Sequence, residues 1–215
     1  MKRIVVLISG QGSNLDAIVR ASEAQDWPGR VVAVISNRAE ARGLQSAQAH
    51  GIATEALDHK AFADRPAFDA ALADLIDRHA PDLVVLAGFM RILTPMFVEL
   101  WRDAVINIHP SLLPSFRGLD THRQALEAGV RFHGCTVHIV RPDLDDGPIL
   151  VQAAVPVLPD DDEQSLAARV LEAEHQAYPL ALRLIAERRV TVEGRRVRIS
   201  GGTGPVAAAL INPAS

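Results

Sequence analysis

The sequence predicts an α/β protein in which one open, mostly parallel sheet is flanked by helices. Short runs rich in β-branched residues alternate with longer segments of helical periodicity, which is the pattern of a parallel sheet wrapped by helices. The runs IVVLIS and LVVLAG are apolar throughout, as expected of strands that are covered on both faces. With 215 residues, 48% of them hydrophobic, the chain is long enough to bury one large core. We therefore expect a single Rossmann-like domain with a twisted sheet.

The first half of the chain supplies the parallel strands and the helices between them. Strands are predicted at 4–9, 31–36, 54–57, 83–87 and 105–109, of which the third is the weakest. Helices are predicted to begin near Asn14, Ala41 and Pro66, and a shorter one near Pro95. In an open parallel sheet the ligand crevice lies at the carboxyl ends of the strands. The loops that follow the first and fifth strands should therefore face one crevice.

The second half of the chain predicts a different arrangement. A helix at 121–128 is followed by an antiparallel strand in HGCTVHIV, whose residues alternate, and by another strand in PILVQAAVPV. A long helix is predicted at 163–187, and VTVEGRRVRIS predicts a terminal hairpin around Glu193 and Gly194. Residues 201–215 are expected to form a flexible tail.

Charge, hydropathy and cysteine content exclude several classes of protein. The formal net charge is −4 and no long block of Lys or Arg occurs, so there is no broad basic surface for nucleic acid. No stretch reaches the roughly 20 apolar residues of a membrane span, and the apolar run after MKR is too short for a signal peptide. The single cysteine, Cys135, fits a reducing cytosol and is either a small buried hydrophobe or a reactive thiol. We therefore expect a cytoplasmic protein.

A glycine-rich loop, SGQGSN, follows the first predicted strand. Gly10 and Gly12 allow a sharp turn, and Ser13 and Asn14 place side-chain donors beside the free amides of a helix start, which favours a phosphate. The alternative is a tight turn with a good helix cap. Leu15 stands where the dinucleotide fingerprint has its third glycine, and no acidic residue ends the second strand. The loop therefore departs from the dinucleotide-binding pattern.

An amide and an imidazole lie two residues apart at the end of the fifth predicted strand. Because side chains at i and i+2 of a strand share a face, Asn107 and His109 should point the same way. Asn can stabilise an oxyanion without delivering a proton, whereas His can donate and accept near neutral pH. The pair suits a reaction through a tetrahedral, negatively charged carbon centre. A structural role for the histidine is the alternative.

Two other loops are candidates for the same crevice. RPDLDDGPI, at 141–149, contains three carboxylates, one of which can orient His109 and favour its charged form; a solvated acidic turn is the alternative. AGFMRIL, at 87–93, is either a lid over a flat organic ligand or part of the core. His133 and His138 lie on either side of Cys135, but no second cluster supplies the remaining ligands of a metal site. No metal is therefore expected.

Several of these segments together resemble a known enzyme family. ISGQGSNL, VVLAGFMRIL, NIHPSLLPSFRGL, HGCTVHIV and LDDGPI occur in the order and at about the spacing of the glycinamide ribonucleotide formyltransferases, folate-dependent enzymes of purine synthesis. The match extends from Ile4 to about Leu184, and NIHPSLLP followed by an Asp-x-Gly-Pro loop is highly specific to enzymes that handle 10-formyltetrahydrofolate. The resemblance implies transfer of a formyl group from 10-formyltetrahydrofolate to the amine of 5-phosphoribosylglycinamide.

The resemblance also implies which residues form the site. The family's catalytic Asn, His and Asp fall on Asn107, His109 and Asp145. The contacts to the phosphorylated substrate fall on Gly12, Ser13, Asn14 and, for the sugar, Glu174. The folate contacts fall on Arg65, Met90, Arg91, Ile92, Leu93, Asn107, Arg141, Pro142, Asp143, Leu144 and Asp145. Asp146 departs from the small residue common at its position, so we expect it to face outward.

In the implied mechanism the substrate amine attacks the formyl carbon. Asn107 and protonated His109 stabilise the oxyanion, and His109, held by Asp145 directly or through water, helps a proton to reach folate N10. Within the same chemistry, methionyl-tRNA formyltransferase carries an additional C-terminal domain and formyltetrahydrofolate deformylase an additional N-terminal one, for which we expect no room. Two alternatives come from other classes of protein. One is a nucleotide-binding oxidoreductase, in which Arg38 would face the 2′-phosphate of a dinucleotide, and the other is a non-catalytic nucleotide sensor.

The expected organisation is one formyltransferase domain over residues 1–200. Its phosphate-binding half extends to about residue 100, and its folate-binding and catalytic half follows. The expected partners are small-molecule substrates, without nucleic acid or membrane, and a homodimer is left open.

Overall fold

The computed structural model describes residues 1–201 and 210–212. Its main sheet contains seven strands, β1 (Lys2–Ile8), β2 (Gly29–Ser36), β3 (Ala53–Ala56), β4 (Leu83–Leu86), β5 (Val105–His109), β6 (Phe132–Ile139) and β7 (Ile149–Pro156). The strand order is β3-β2-β1-β4-β5-β6-β7, in which the first five strands are parallel and the last two are antiparallel to their neighbours. The predicted α/β fold with an open, mostly parallel sheet is confirmed.

Helices cover both faces of this sheet. They are α1 (Ser13–Ser22), α2 (Arg42–Ala49), α3 (Arg65–Asp77), α4 (Pro95–Leu100), α5 (Thr121–Glu127) and α6 (Glu163–Ala186). Alternate residues of β1 point to opposite layers: Ile4, Val6 and Ile8 pack with α1 and α6, whereas Val5 and Leu7 pack with α3 and α4. All five side chains are fully buried, which explains why β1 is apolar throughout.

The long helix α6 packs on one face of the sheet and contacts the backbone of β4 and β5 through Tyr178. Its start is fixed by a capping box, in which the Asp162 side chain accepts from the Ser165 amide and the Ser165 hydroxyl accepts from the Asp162 amide. Tyr178 is fully buried, and its hydroxyl lies 3.0 Å from the carbonyl oxygens of Leu86 and Ile106. Because a hydroxyl has one hydrogen, it donates to one of these carbonyls at a time or is shared between them.

A two-stranded hairpin follows α6, with β8 at Val190–Glu193 and β9 at Arg196–Ile199. Gly194 and Arg195 form its turn, one residue later than the sequence predicts. Most of the predicted tail, at 202–209 and 213–215, lies outside the described residues. The Asn212 side chain donates to the carbonyls of Arg131 and Val157. Within residues 1–201 and 210–212 no helix is both long and apolar enough to cross a membrane.

Candidate active site

The carboxyl ends of β1, β4 and β5 open at one edge of the sheet. The loops that leave this edge are 9–14, 87–93 and 110–118. Because β6 runs antiparallel to β5, the loop after β6 has to return along β5, and it brings Asp145 to His109. The structure thus brings the predicted candidate loops to one crevice.

The glycine-rich loop turns tightly into α1. Gly12 has a φ of +85°, and a Cβ added there would lie 2.8 Å from the Cα of Gly43, so a larger residue does not fit without movement. The Gly43 amide donates to the carbonyl of Gly10 at 3.1 Å. Among the described residues no side chain caps α1, so no side-chain acceptor takes up the first amides at the positive end of the helix. This geometry favours an anion site over the alternative of a capped turn.

A buried carboxyl lies beside this loop. Asn14 Nδ2 donates to Glu174 Oε2 at 2.7 Å, although the two residues are far apart in sequence. Burial raises the pKa of Glu174, and the hydrogen bond from Asn14 opposes that shift. The other amide atom, Asn14 Oδ1, is buried without a hydrogen-bond partner among the described residues. The helix α6 therefore contributes a polar group to the glycine-rich loop.

Ser9 joins the glycine-rich loop to the loop after β4. Its hydroxyl donates to Asn37 Oδ1 at 2.5 Å and accepts from the amide of Met90 at 2.8 Å. Ser9 and Asn37 are buried at the ends of β1 and β2. The segment ISNR, which ends β2 and carries no carboxylate for a ribose, thus helps through Asn37 to fix two neighbouring loops.

Asn107 and His109 lie on the same face of β5, as their spacing predicts. The Asn107 amide nitrogen lies 3.2 Å from Nε2 of His138, the residue opposite it on β6. Burial lowers the pKa of His138, and its Nδ1 lies 3.3 Å from the carbonyl oxygen of Ile139. A neutral His138 with its proton on Nδ1 therefore accepts from Asn107. This orients the Asn107 amide and leaves its second N–H free to point into the crevice.

Both ring nitrogens of His109 face acceptors. Nε2 lies 2.9 Å from the carbonyl oxygen of Phe116, and Nδ1 lies 3.5 Å from Oδ1 of Asp145. The second distance is longer than an ordinary hydrogen bond, yet it leaves no room for a water molecule between the two atoms. The other carboxylate oxygen of Asp145 accepts from the Gly118 amide at 2.7 Å. His109 and Asp145 thus form a close, mostly buried pair at the end of β5.

The proline-containing loop after β5 is held by side chains of β6 and β7. The Thr136 hydroxyl donates to the carbonyl of Ser111 at 2.7 Å and accepts from the amide of Leu113 at 3.0 Å. Gln152 Nε2 donates to the carbonyl of Leu113 at 2.9 Å. These bonds explain how a loop without regular structure can present the Phe116 carbonyl at a fixed position.

The expectation that Asp146 faces outward is wrong. Its side chain is only 11% exposed and lies between two guanidinium groups. Arg117 donates to Oδ1 at 2.8 Å, and Arg195 donates to both carboxylate oxygens at 2.7 and 2.9 Å. Arg195 and then Arg117 hold the pKa of Asp146 below its ordinary value. No local pattern indicates this contact, because Arg195 lies 49 residues away on the terminal hairpin.

Cys135 and the two histidines on either side of it differ in what the structure says of them. Burial, the largest cause, raises the pKa of the Cys135 thiol to about 12, so Cys135 is the small buried hydrophobe of the two alternatives. Over the described ranges, 1–201 and 210–212, no group of three His, Cys, Asp or Glu side chains is arranged to hold a metal ion.

Residues 2–182 match the formyl transferase family. The chain belongs to this family. It is 50% identical over 198 residues to phosphoribosylglycinamide formyltransferase of Escherichia coli (strain K12), and the alignment covers 92% of this chain and 93% of that enzyme.

Solved structures of formyl transferases show the same fold. Glycinamide ribonucleotide transformylase 1 from Symbiobacterium toebii superposes with a TM-score of 0.90 at 51% identity, covering 93% of this chain and 94% of that one. A formyltetrahydrofolate deformylase from Pseudomonas syringae pv. tomato is also similar, with a TM-score of 0.84 and 31% identity, covering 92% of this chain and 65% of that one. The identity to this transferase, 51%, is thus higher than the 31% to this deformylase.

The predicted folate-binding residues of this formyl transferase lie in two loops beside the Asn107–His109 pair and on α3. Met90, Ile92 and Leu144 expose large apolar side chains, whereas Leu93 is buried. Arg141 donates to the carboxylate of Asp103. The Nε of Arg91 is buried and has no hydrogen-bond partner among the described residues. Pro142 and Asp143 follow Arg141 in the loop at 140–148. Arg65 begins α3, one turn before Asp69, whose carboxylate accepts from the Thr94 amide at 2.6 Å.

Proposed function

We propose that this protein transfers the formyl group of 10-formyltetrahydrofolate to the amine of 5-phosphoribosylglycinamide, in de novo purine biosynthesis. The products would be the formylglycinamide ribonucleotide and tetrahydrofolate. One observation carries the proposal: a single sheet edge combines an uncapped helix N-terminus, suited to a phosphate, with the Asn107, His109 and Asp145 side chains. Transfer to a phosphorylated amine needs both features, whereas hydrolysis of the donor needs only the second.

The acceptor substrate is proposed to bind between α1 and α6. The amides of Gly12, Ser13 and Asn14 would hold the phosphate, because unpaired helix-start amides and the helix dipole favour an anion. The Glu174 carboxyl, fixed by Asn14 at 2.7 Å, would accept from a sugar hydroxyl. This arrangement directs the amine end of the substrate along the sheet edge towards Asn107.

The formyl donor is proposed to occupy the loops at 87–93 and 141–145. The exposed apolar side chains of Met90, Ile92 and Leu144 suit a flat, partly aromatic ring system. Arg65, Arg91 and Arg141 carry positive charge near these loops, which suits the carboxylates of a folate. Backbone groups of the second loop would supply the donors and acceptors that recognise the ring edges.

His109 is proposed to stabilise the oxyanion and to move the proton. Because Nε2 is directed to the Phe116 carbonyl, the mobile proton is the one on Nδ1, next to Asp145. The amine attacks the formyl carbon, and the oxyanion accepts from the free Asn107 N–H and shares the Nδ1–H of His109 with Asp145; each such donor typically contributes on the order of 3 kcal/mol. As the carbon–N10 bond breaks, N10 gains a proton from His109 and the new amide nitrogen loses one, so the pair relays protons without net change. No step in this sequence requires a metal.

A spectroscopic assay tests the proposal and separates the related activities. The protein is incubated with 10-formyltetrahydrofolate, with and without 5-phosphoribosylglycinamide, and the absorbance change of the folate is followed. A change that requires the amine supports the transferase, and a change without it means a deformylase. No change in either incubation rules out both.

The variant His109→Ala provides the matched control for this assay. Its turnover should fall by roughly two to four orders of magnitude, because both the oxyanion donor and the proton relay are lost. Thermal unfolding should change little by comparison. A variant that retains a near-normal rate would remove His109 from the mechanism.

Three broader points belong to the same proposal. We expect the enzyme to act in the cytoplasm on small molecules, without nucleic acid or membrane partners. Residues 1–200 are proposed to form one formyltransferase domain, with the phosphate-binding half before about residue 100. A measured solution mass would distinguish a monomer from a homodimer.

A further inference from the structure

Three consecutive residues of the loop after β5 each contact the region of His109 and Asp145. The Phe116 carbonyl accepts from Nε2 of His109 at 2.9 Å, and the Gly118 amide donates to Asp145 at 2.7 Å. Between them, Arg117 donates to Asp146, the neighbour of Asp145, at 2.8 Å. The geometry of the His109–Asp145 pair therefore depends on how this segment is held against the loop at 140–148.

The turn of the terminal hairpin supplies a second guanidinium to the same carboxylate. Arg195 donates to both oxygens of Asp146, at 2.7 and 2.9 Å, although its own side chain is 76% exposed. A paired, two-bond contact of this kind fixes direction as well as distance. Asp146 is thus held between the loop after β5 and an element that lies outside the main sheet.

Packing alone does not hold this side of the loop. A cavity of about 400 Å³ lies there, lined by residues of the β5 loop, the 140–148 loop and β9. The backbone is also in an unfavourable conformation, because Asp145 has a φ of +47° without being glycine. At Gly147 an added Cβ would lie 2.0 Å from the Ile139 carbonyl oxygen, so the chain is pressed against β6. A strained loop beside a cavity needs a directional contact to keep one conformation.

We propose that Asp146 is a positioning residue and that Arg195 of the terminal hairpin acts through it. Held by Arg117 and Arg195, Asp146 fixes the adjacent peptide so that the Asp145 carboxylate stays against His109. This inference rests on the proposed function, since it concerns the geometry in which the formyl group is transferred. It assigns a role in catalysis to a hairpin that contributes none of the proposed substrate contacts.

Two arginines of the hairpin provide a matched experiment. Arg195→Ala removes the contact to Asp146, whereas Arg198→Ala removes an arginine that is equally exposed, at 76%, and pairs with Glu193 inside the hairpin. The readouts are kcat, the KM for the ribonucleotide, thermal unfolding, and deuterium uptake of a peptide covering 141–147. Arg195→Lys, which keeps the charge, tests for rescue.

Arg195→Ala should lower kcat on the order of tenfold, because small displacements of catalytic groups are costly. The KM for the ribonucleotide should stay unchanged, since the glycine-rich loop is untouched, and deuterium uptake of 141–147 should rise. Arg195→Lys should recover part of the rate, and Arg198→Ala should behave like the unmodified protein. Asp146→Ala should lower kcat at least as much, and adding Arg195→Ala to it should cause little further loss, because both changes break one contact.

Two results would overturn the inference. One is an Arg195→Ala variant that matches Arg198→Ala in both kcat and deuterium uptake. The other is a variant with raised uptake but an unchanged kcat, which would mean that the contact orders the loop without positioning Asp145. If the unmodified protein shows no turnover that depends on the amine, the proposed function fails instead. Deuterium uptake then decides by itself whether Arg195 fixes the loop.

Discussion

Acid should destabilise the folded protein through one buried imidazole, that of His133. The side chain is 1% exposed, and neither ring nitrogen has a hydrogen-bond partner among the described residues. Its ring packs edge-on against Phe116 at 6.0 Å and His122 at 5.2 Å. Burial, followed by repulsion from His122 and His109, lowers the pKa of His133 from 6.5 to about 4.

The sign and size of the effect follow from this shift. As pH falls below 6.5, His133 takes up a proton in the unfolded chain but not in the folded protein, so acid favours unfolding until about pH 4. A difference of about 2.5 between the two pKa values corresponds to about 3 kcal/mol at 1.36 kcal/mol per unit. The lowered pKa values of His122, His138 and His175 act in the same direction, and the raised pKa of Glu174 acts in the opposite one.

A variant isolates the contribution of His133 from these other groups. In His133→Leu the imidazole is replaced by an apolar side chain of similar size, while the other titrating groups remain. Urea unfolding is measured between about pH 7 and pH 4.5 for both proteins. The free energy of unfolding should fall more steeply in the unmodified protein, by about 2–3 kcal/mol over this range. Parallel pH profiles for the two proteins would refute the reasoning, whatever their difference at pH 7.

Three further predictions concern single residues. Gly12→Ala should raise the KM for the ribonucleotide in steady-state kinetics, because the new Cβ would lie 2.8 Å from Gly43; an unchanged KM would contradict the proposed phosphate site. Tyr178→Phe should lower the free energy of urea unfolding by about 1–2 kcal/mol, since the carbonyls of Leu86 in β4 and Ile106 in β5 lose the hydroxyl that they share. Cys135, whose pKa is raised to about 12, should react with a thiol reagent only as the protein unfolds, and fast labelling of the folded protein would contradict its burial.

The elements that are determined by local sequence were predictable. The strand β5 was predicted at its observed bounds, because alternating apolar residues end at His109 and Pro110 then prevents continuation. The start of α6 at Glu163 was also predicted, and Asp162 caps it. In both cases the signal lies within a few residues of the boundary. The side-by-side orientation of Asn107 and His109 follows from the same local periodicity.

Contacts that depend on how distant elements meet were not predictable. The sequence places His138 only as a neighbour of Cys135, because the contact of His138 with Asn107 requires the register of β5 against β6. The alternation of HGCTVHIV puts His138 on one face of a strand, but it does not say which residue lies opposite. Asp146 illustrates the same limit, because its partner Arg195 is positioned by a hairpin whose place beside the 140–148 loop no local pattern encodes.

The helix α6 carries two groups that serve different parts of the crevice. Glu174 contacts Asn14 at the glycine-rich loop, and Tyr178, one turn later, contacts the carbonyls of Leu86 in β4 and Ile106 in β5. Four residues of helix span about 6 Å, and a helix is stiff along its axis. The distance between the glycine-rich loop, which would hold the phosphate, and β5, which bears Asn107, is therefore set by the single helix α6. In the proposed reaction α6 therefore selects the length of the acceptor. An acceptor whose amine is one bond nearer to its phosphate, or one bond farther from it, would bind, but its amine would not reach the formyl carbon.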